Sequence, residues 1–214
     1  MGKRSDRRQL PSRTQLSRML VLCEGQCTEP EYLHELRRKL RIPEQNLMIV
    51  CPPEAPNTPR EMVEEAKRRK RDKQDAFDQV WCVFDVEAKL DQKNRDGLLD
   101  ALRSARDAQI LIAMSNPCFE IWLLWHNSDQ SAWIASHAVQ RRCEELGLTH
   151  GKGGKHIRDA ESLLRDSYQD ARNRASSVDE AHDRNGTQKP EDRNPSSGMY
   201  LLIDAIYAVF PARS

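Results

Sequence analysis

Long apolar runs are missing from this sequence. None approaches the roughly 18 residues that a membrane-spanning helix needs, and the first residues lack the apolar core of a secretory leader. Neither charge sign dominates, because 34 lysines and arginines stand against 33 aspartates and glutamates. A zinc signature is missing too. Of the six cysteines, Cys23 and Cys27 are spaced C-x3-C, but no second cysteine or histidine pair completes a four-ligand set. Cys23, Cys51 and Cys82 fall in or at the end of apolar runs, where a free cysteine behaves as a small hydrophobe. There is no Gly-x4-Gly-Lys-Ser/Thr loop to cradle a nucleotide triphosphate. Together these absences predict a cytoplasmic chain with reduced thiols and no membrane association.

What is present is unevenly distributed. Residues 1–18 carry Lys3, Arg4, Arg7, Arg8, Arg13 and Arg18 against Asp6 alone, and read as a basic flexible arm. Beyond it, short apolar runs alternate with helical periodicity. Met19–Cys23, Asn46–Cys51, Gln79–Phe84 and Gln109–Met114 read as strands. Continuous apolar strands of this kind belong to a parallel sheet covered on both faces. Helices are expected between them. Thr28 with Glu31 and Thr58 with Glu61 have the spacing of capping boxes, and Leu98, Leu99 and Leu102 mark a third helix over 94–107. The lysines and arginines of 67–73 read as a solvated helix face. An α/β domain with a parallel sheet of about four strands would span 19–130, and a helical extension 131–214. In the extension, helices are expected near 131–147, 158–174 and 199–210, with a mobile loop at 183–198.

The chemistry points to one edge. The first strand ends on Glu24, the third on Asp85 and Glu87, and the fourth on Ser115 and Asn116 with Glu120 just behind. In an open parallel sheet the carboxyl ends of the strands share an edge, which is where ligands bind. Several carboxylates brought together repel one another and call for a cation, and an all-oxygen set favours Mg²⁺ or Mn²⁺ over zinc. Each residue also has a plainer reading. Glu29 and Glu31 suit the first turn of a helix, Asn116 and Glu120 suit a helix start, and His126 suits a core or capping position. Lys152, Lys155 and His156 sit in a glycine-flanked loop that either clamps a phosphate backbone or stands free in solvent.

Leu22-Cys23-Glu24-Gly25 and Val83-Phe84-Asp85-Val86-Glu87 resemble the two signatures of the Toprim fold, a glutamate followed by glycine and an Asp-x-Asp. The fuller pattern is Cys-Glu-Gly-x-x-Thr-Glu-x-x-Tyr, then Val-Phe-Asp, then Ser-Asn-Pro-Cys-Phe-Glu-Ile-Trp-Leu-Leu-x-His. It is similar to the RloB-like family of bacterial antiphage defence loci. The resemblance implies a metal-dependent nuclease acting on DNA or RNA, with tRNA among the candidates. It makes Glu24, Asp85 and Glu87 catalytic metal ligands; beside it, the placement of the residues themselves adds Glu120 to the catalytic set and Asn116, Lys152, Lys155 and His156 as substrate contacts. Glu87 departs from the Asp-x-Asp pattern by one methylene. The same resemblance implies, as the alternative, a partner-dependent nucleic-acid-binding or sensing subunit working with an ATPase encoded in the same locus. It leaves a homo-oligomer open.

Overall fold

The computed structural model describes residues 17–51, 58–72, 76–86 and 92–211. The arm up to residue 16, the proline-rich loop at 52–57, Lys73 and Glu87 lie outside the described residues.

In chain order, β1 (Met19–Cys23), α1 (Thr28–Lys39), β2 (Leu47–Val50), α2 (Pro59–Arg71), β3 (Gln79–Asp85), α3 (Gln92–Asp107) and β4 (Leu111–Asn116) form an alternating α/β unit. Then come α4 (Glu120–Asn127), α5 (Ser136–Glu145), the hairpin β5 (Thr149–His150) and β6 (His156–Ile157), and a short α6 (Ala160–Ser162). The latter runs through a π-turn at Leu163–Ser167 into α7 (Tyr168–Arg184), and β7 (Ser196–Ser197) and α8 (Met199–Val209) close the order. The main sheet has the order β2-β1-β3-β4-β7. Its first four strands are parallel, and β7 is antiparallel to β4.

β1 must be apolar on both faces because it is central and covered on both sides. Met19, Val21 and Cys23 pack with Tyr32, Leu33 and Leu36 of α1 in a core that α4, α7 and α8 thicken. Leu20 and Leu22 point the other way, onto Met62, Val63 and Ala66 of α2 and Leu98, Ala101 and Ala105 of α3. Among the described residues no helix is long and apolar enough to cross a membrane.

The expected strands and helices form, with several differences. Gln109 has φ +53°, so α3 closes there and β4 starts at Leu111, taking Ser115 and Asn116 into the strand. The sheet has five strands instead of about four, because part of the loop expected at 183–198 docks on it. Ser196 and Ser197 are buried opposite Asn116 and Ser115, and Ser115 and Ser197 share a hydroxyl–hydroxyl bond of 3.0 Å. A Cβ on Gly198 would stand 3.1 Å from the Ala113 Cα, so glycine permits this close approach. The helix expected at 158–174 is displaced and extended, ending at Arg184. The 131–147 helix starts later, at Ser136; its end comes as expected, with Gly147 at φ +67° and its amide bonded to the Glu144 carbonyl.

Arg18 is anchored: its backbone amide donates to Asp78, its Nε donates to the Gln45 carbonyl, and its guanidinium lies over the Phe77 ring. In α2, Thr58 accepts from the Glu61 amide and Pro59 sits at the first position, as a helix start requires. The basic run of α2 is largely structural. Lys67, Arg68 and Arg69 pair with Glu64 and Glu65, and Lys70 donates to the carbonyls of Ala108 and Gln109 beyond α3.

Candidate functional site

The parallel register levels the strand ends. Leu22 stands beside Cys82, Cys23 beside Val83, and Asp85 beside Ser115. Glu24 continues the ladder, its amide donating to the Val83 carbonyl at 2.9 Å. Its carboxylate then turns back and accepts from the Asp85 backbone amide at 3.1 Å. Two acids from strands that are neighbours in space but 61 residues apart in sequence are thereby fixed side by side.

Glu29 joins them. Expected as a first-turn helix acid, it is only 5% exposed, and the Thr28 hydroxyl donates to its carboxylate at 3.0 Å. Burial pushes its carboxyl up, and the nearby charges of Glu120 and Glu24 add to the shift; its own backbone amide and Thr28 pull the other way. Gly25 explains how Glu29 gets there: a methyl group at Gly25 would overlap the Glu29 carboxylate. The glycine after Glu24 therefore leaves room for a second acid. That function is invisible in the Glu-Gly pair itself.

Asp85 has the strongest perturbation. Its carboxyl is raised well above the usual aspartate range, first by burial and then by the charges of Glu29, Glu120 and Glu24, with the Phe119 amide offsetting part. Glu120, the first residue of α4, is buried and completes the group. Among the described residues no lysine or arginine pairs with Glu29, Asp85 or Glu120, whereas carboxylates elsewhere are widely paired. The sequence-predicted Glu24, Asp85 and Glu120 are thus brought together, with Glu29 added, while Glu87 lies outside the described residues.

On the α2–α3 side the strand ends open into a cleft of about 340 Å³, lined by Glu24 and Asp85 and by Arg60, Lys93 and Asn94. Sequence reasoning passed over Arg60 and Lys93. Their only signal was a basic residue in the first turn of a helix that follows a strand on this edge.

The other expected contacts are placed differently. Asn116 is buried; its carbonyl oxygen accepts from Asn194 Nδ2 at 3.0 Å and its own Nδ2 reaches the Glu191 carbonyl at 3.4 Å. It ties β4 to the segment before β7 and caps no helix, since the N-cap of α4 is Phe119 and no side chain caps it. Lys152 and Lys155 lie in the β5–β6 turn, where Gly151, Gly153 and Gly154 have positive φ. His156 begins β6 and bonds Glu31 at 2.5 Å. Glu31 also accepts from the Ile157 amide at 2.8 Å, so it holds this hairpin against α1 and does not close a capping box with Thr28.

Beneath the acids lies a different cluster. His126 is 4% exposed, with Nε2 bonded to the Tyr32 hydroxyl at 3.0 Å and Nδ1 to the Ser167 hydroxyl at 2.9 Å. Its ring packs edge-on to Trp122. Burial lowers its pKa to about 3, so it is neutral near pH 7, as expected for a core histidine.

Among the described residues, no three acidic, imidazole or thiol groups already stand close enough to hold a metal ion. The donor chemistry nevertheless suits a hard divalent cation. Oxygen ligands converge, and their mutual repulsion is what such an ion relieves.

No curated protein and no solved structure matches the chain. A family model does, over residues 19–206, from the first strand to within the last helix, and so joins the acid edge and the C-terminal segments that complete the sheet. By that match, the chain belongs to the RloB-like protein family.

Proposed function

We propose that this chain is a Toprim-like, metal-dependent nuclease that hydrolyses nucleic-acid phosphodiesters, and that it serves bacterial antiphage defence. The observation that carries the reading is the convergence of Glu24, Glu29, Asp85 and Glu120 at the strand ends, where burial and mutual repulsion raise Asp85 and Glu29. Perturbed acids gathered in a cleft are a mark of a functional site. Family membership supports the defence role.

Asp85 and Glu24 would hold Mg²⁺ or Mn²⁺, with Glu87 and Glu120 as further ligands and Glu29 adding negative charge behind them. The ion, when bound, supplies Lewis-acid polarisation of the phosphate and a lowered pKa for water. Burial and the neighbouring carboxylates raise the Asp85 carboxyl, and a bound cation would act in the opposite direction, favouring its ionised form. The Asp85 amide keeps the Glu24 carboxylate oriented. Lys152, Lys155 and the basic arm would hold flanking phosphates, giving a salt-dependent affinity.

The direct test is a cleavage assay on DNA, RNA and tRNA with Mg²⁺ and with Mn²⁺. We expect Asp85→Ala to lose at least about a hundredfold of the rate. Equal activity in the two proteins would sink the proposal.

A second reading rests on a groove of about 880 Å³ between α3, α7 and the β7–α8 segment. Leu102, Ile112, Met114 and Leu201 line it, and Leu201 is 48% exposed. An apolar concavity of this size suits a partner protein, and the chain would then act as a subunit beside an ATPase of the same locus. Robust cleavage by the isolated chain, unchanged when that ATPase is added, would count against it.

A further inference from the structure

The cleft beside the acids is walled by cations that those acids do not neutralise. Arg60 is the second residue of α2 and Lys93 the second of α3; both are exposed, and both line the cleft with Glu24 and Asp85. Among the described residues neither forms an ion pair. Several arginines elsewhere close on carboxylates: Arg38 on Glu35, Arg68 on Glu65, Arg95 on Asp192, Arg172 on Asp204 and Arg193 on Asp179. Two unpaired cations within one small cleft of repelling carboxylates is a charge pattern that a simple anion does not satisfy, because Glu24 and Asp85 would repel it. A lone metal ion does not satisfy it either, because Arg60 and Lys93 would repel that. A ligand that presents anionic oxygens to the rim and brings a divalent cation to the strand ends satisfies both.

We infer that Arg60 and Lys93 form the phosphate subsite of this edge, gripping a nucleic-acid phosphodiester whose neighbouring oxygens face the carboxylates across a divalent cation. This rests on the nuclease reading and deepens it, because it assigns the substrate grip to the first turns of α2 and α3. Arginine suits two phosphate oxygens at once through its planar fork, and lysine adds a mobile point charge. Both side chains project from helices packed on the sheet, so they are held at the cleft while remaining free to close on a ligand.

The experiment separates grip from cutting. Binding of a fluorescent single-stranded oligonucleotide, as DNA and as RNA, is followed by anisotropy across a salt series, using full-length Asp85→Asn so that cleavage does not intrude. Adding R60Q and K93Q together is expected to weaken binding about tenfold at low salt and to flatten the log–log salt slope by about 1.4. Arg184→Gln, which removes an exposed cation paired with Glu180 at the far end of α7, is the control and is expected to change the affinity less than twofold. In the chain with Asp85 intact, R60Q/K93Q should raise KM more than it lowers kcat.

The parent's affinity and slope retained after R60Q and K93Q are added would overturn the inference, as would an equal loss in the Arg184 control or no measurable oligonucleotide binding by the parent. If Arg60 and Lys93 set the affinity but the intact chain never cuts, the nuclease reading falls and this subsite stands. If it cuts with an unchanged KM in the double variant, the subsite falls and the nuclease reading stands.

Discussion

Two clusters built from neighbouring residues behave in opposite ways. Glu29 and Tyr32 lie three residues apart on α1, and Glu120 and His126 six apart on α4. From these short stretches the acids go to the sheet edge, where burial and like charge raise Asp85 and Glu29. Tyr32, Trp122, His126 and Ser167 instead form a neutral knot in which both ring nitrogens of the histidine have partners. In the knot the histidine meets neutral hydroxyls on both sides, whereas at the edge Asp85 and Glu29 face further carboxylates. The knot pins α1 to α4, and so holds Glu29 and Glu120 against their mutual repulsion.

The comparison breaks most severely at the knot. His126→Ala leaves the Tyr32 and Ser167 hydroxyls without this partner and opens a cavity, and should cost about 2–4 kcal/mol of unfolding free energy. A chemical denaturation midpoint unchanged within error would show that the knot does not bear on stability.

Asp85→Asn should act in the reverse direction. Removing a carboxylate that the fold disfavours as an anion should raise stability at pH 7 by about 1–2 kcal/mol while abolishing cleavage. Mg²⁺ or Mn²⁺ should raise the melting temperature of the wild type and leave that of Asp85→Asn much less affected. Identical shifts in both proteins would remove Asp85 from the ligand set.

The pH dependences also oppose each other. Raised carboxyls mean that the folded chain binds more protons than the unfolded one, so the Asp85 and Glu29 contribution is largest in acid. It falls as pH rises above the unfolded carboxylate range near pH 4. His126, lowered to about 3, is the mirror case. Its contribution is complete above the unfolded histidine pKa near 6.5 and is lost as pH falls from there toward 3. Melting curves from pH 4 to 8 should therefore lose their acid-side slope in His126→Gln and part of their opposite slope in Asp85→Asn. Unchanged profiles in both variants would dismiss these assignments.

The smallest effect on stability is expected at Gly25. A methyl there meets the flexible end of Glu29, so Gly25→Ala should displace the carboxylate at a cost below about 1 kcal/mol. Cleavage should nevertheless fall several-fold. Normal cleavage in Gly25→Ala would return Glu29 to a purely helix-start role.

The sequence alone determined the four parallel strands and the edge at which Glu24, Asp85 and Glu120 would meet. Continuous apolar runs admit few other folds, and a parallel sheet sends every strand end to the same side. Tertiary structure alone decided the rest. Glu29 joined the acids because Gly25 left space for it. Glu31 turned to the β5–β6 hairpin, and Asn116 to Asn194. Ser196 and Ser197 became a strand because β4 offered them an open edge. Arg60 and Lys93 came to line one cleft with Asp85 through the packing of α2 and α3 on the sheet. Local periodicity specifies which face of an element is buried, but it carries no record of which distant side chain will stand opposite.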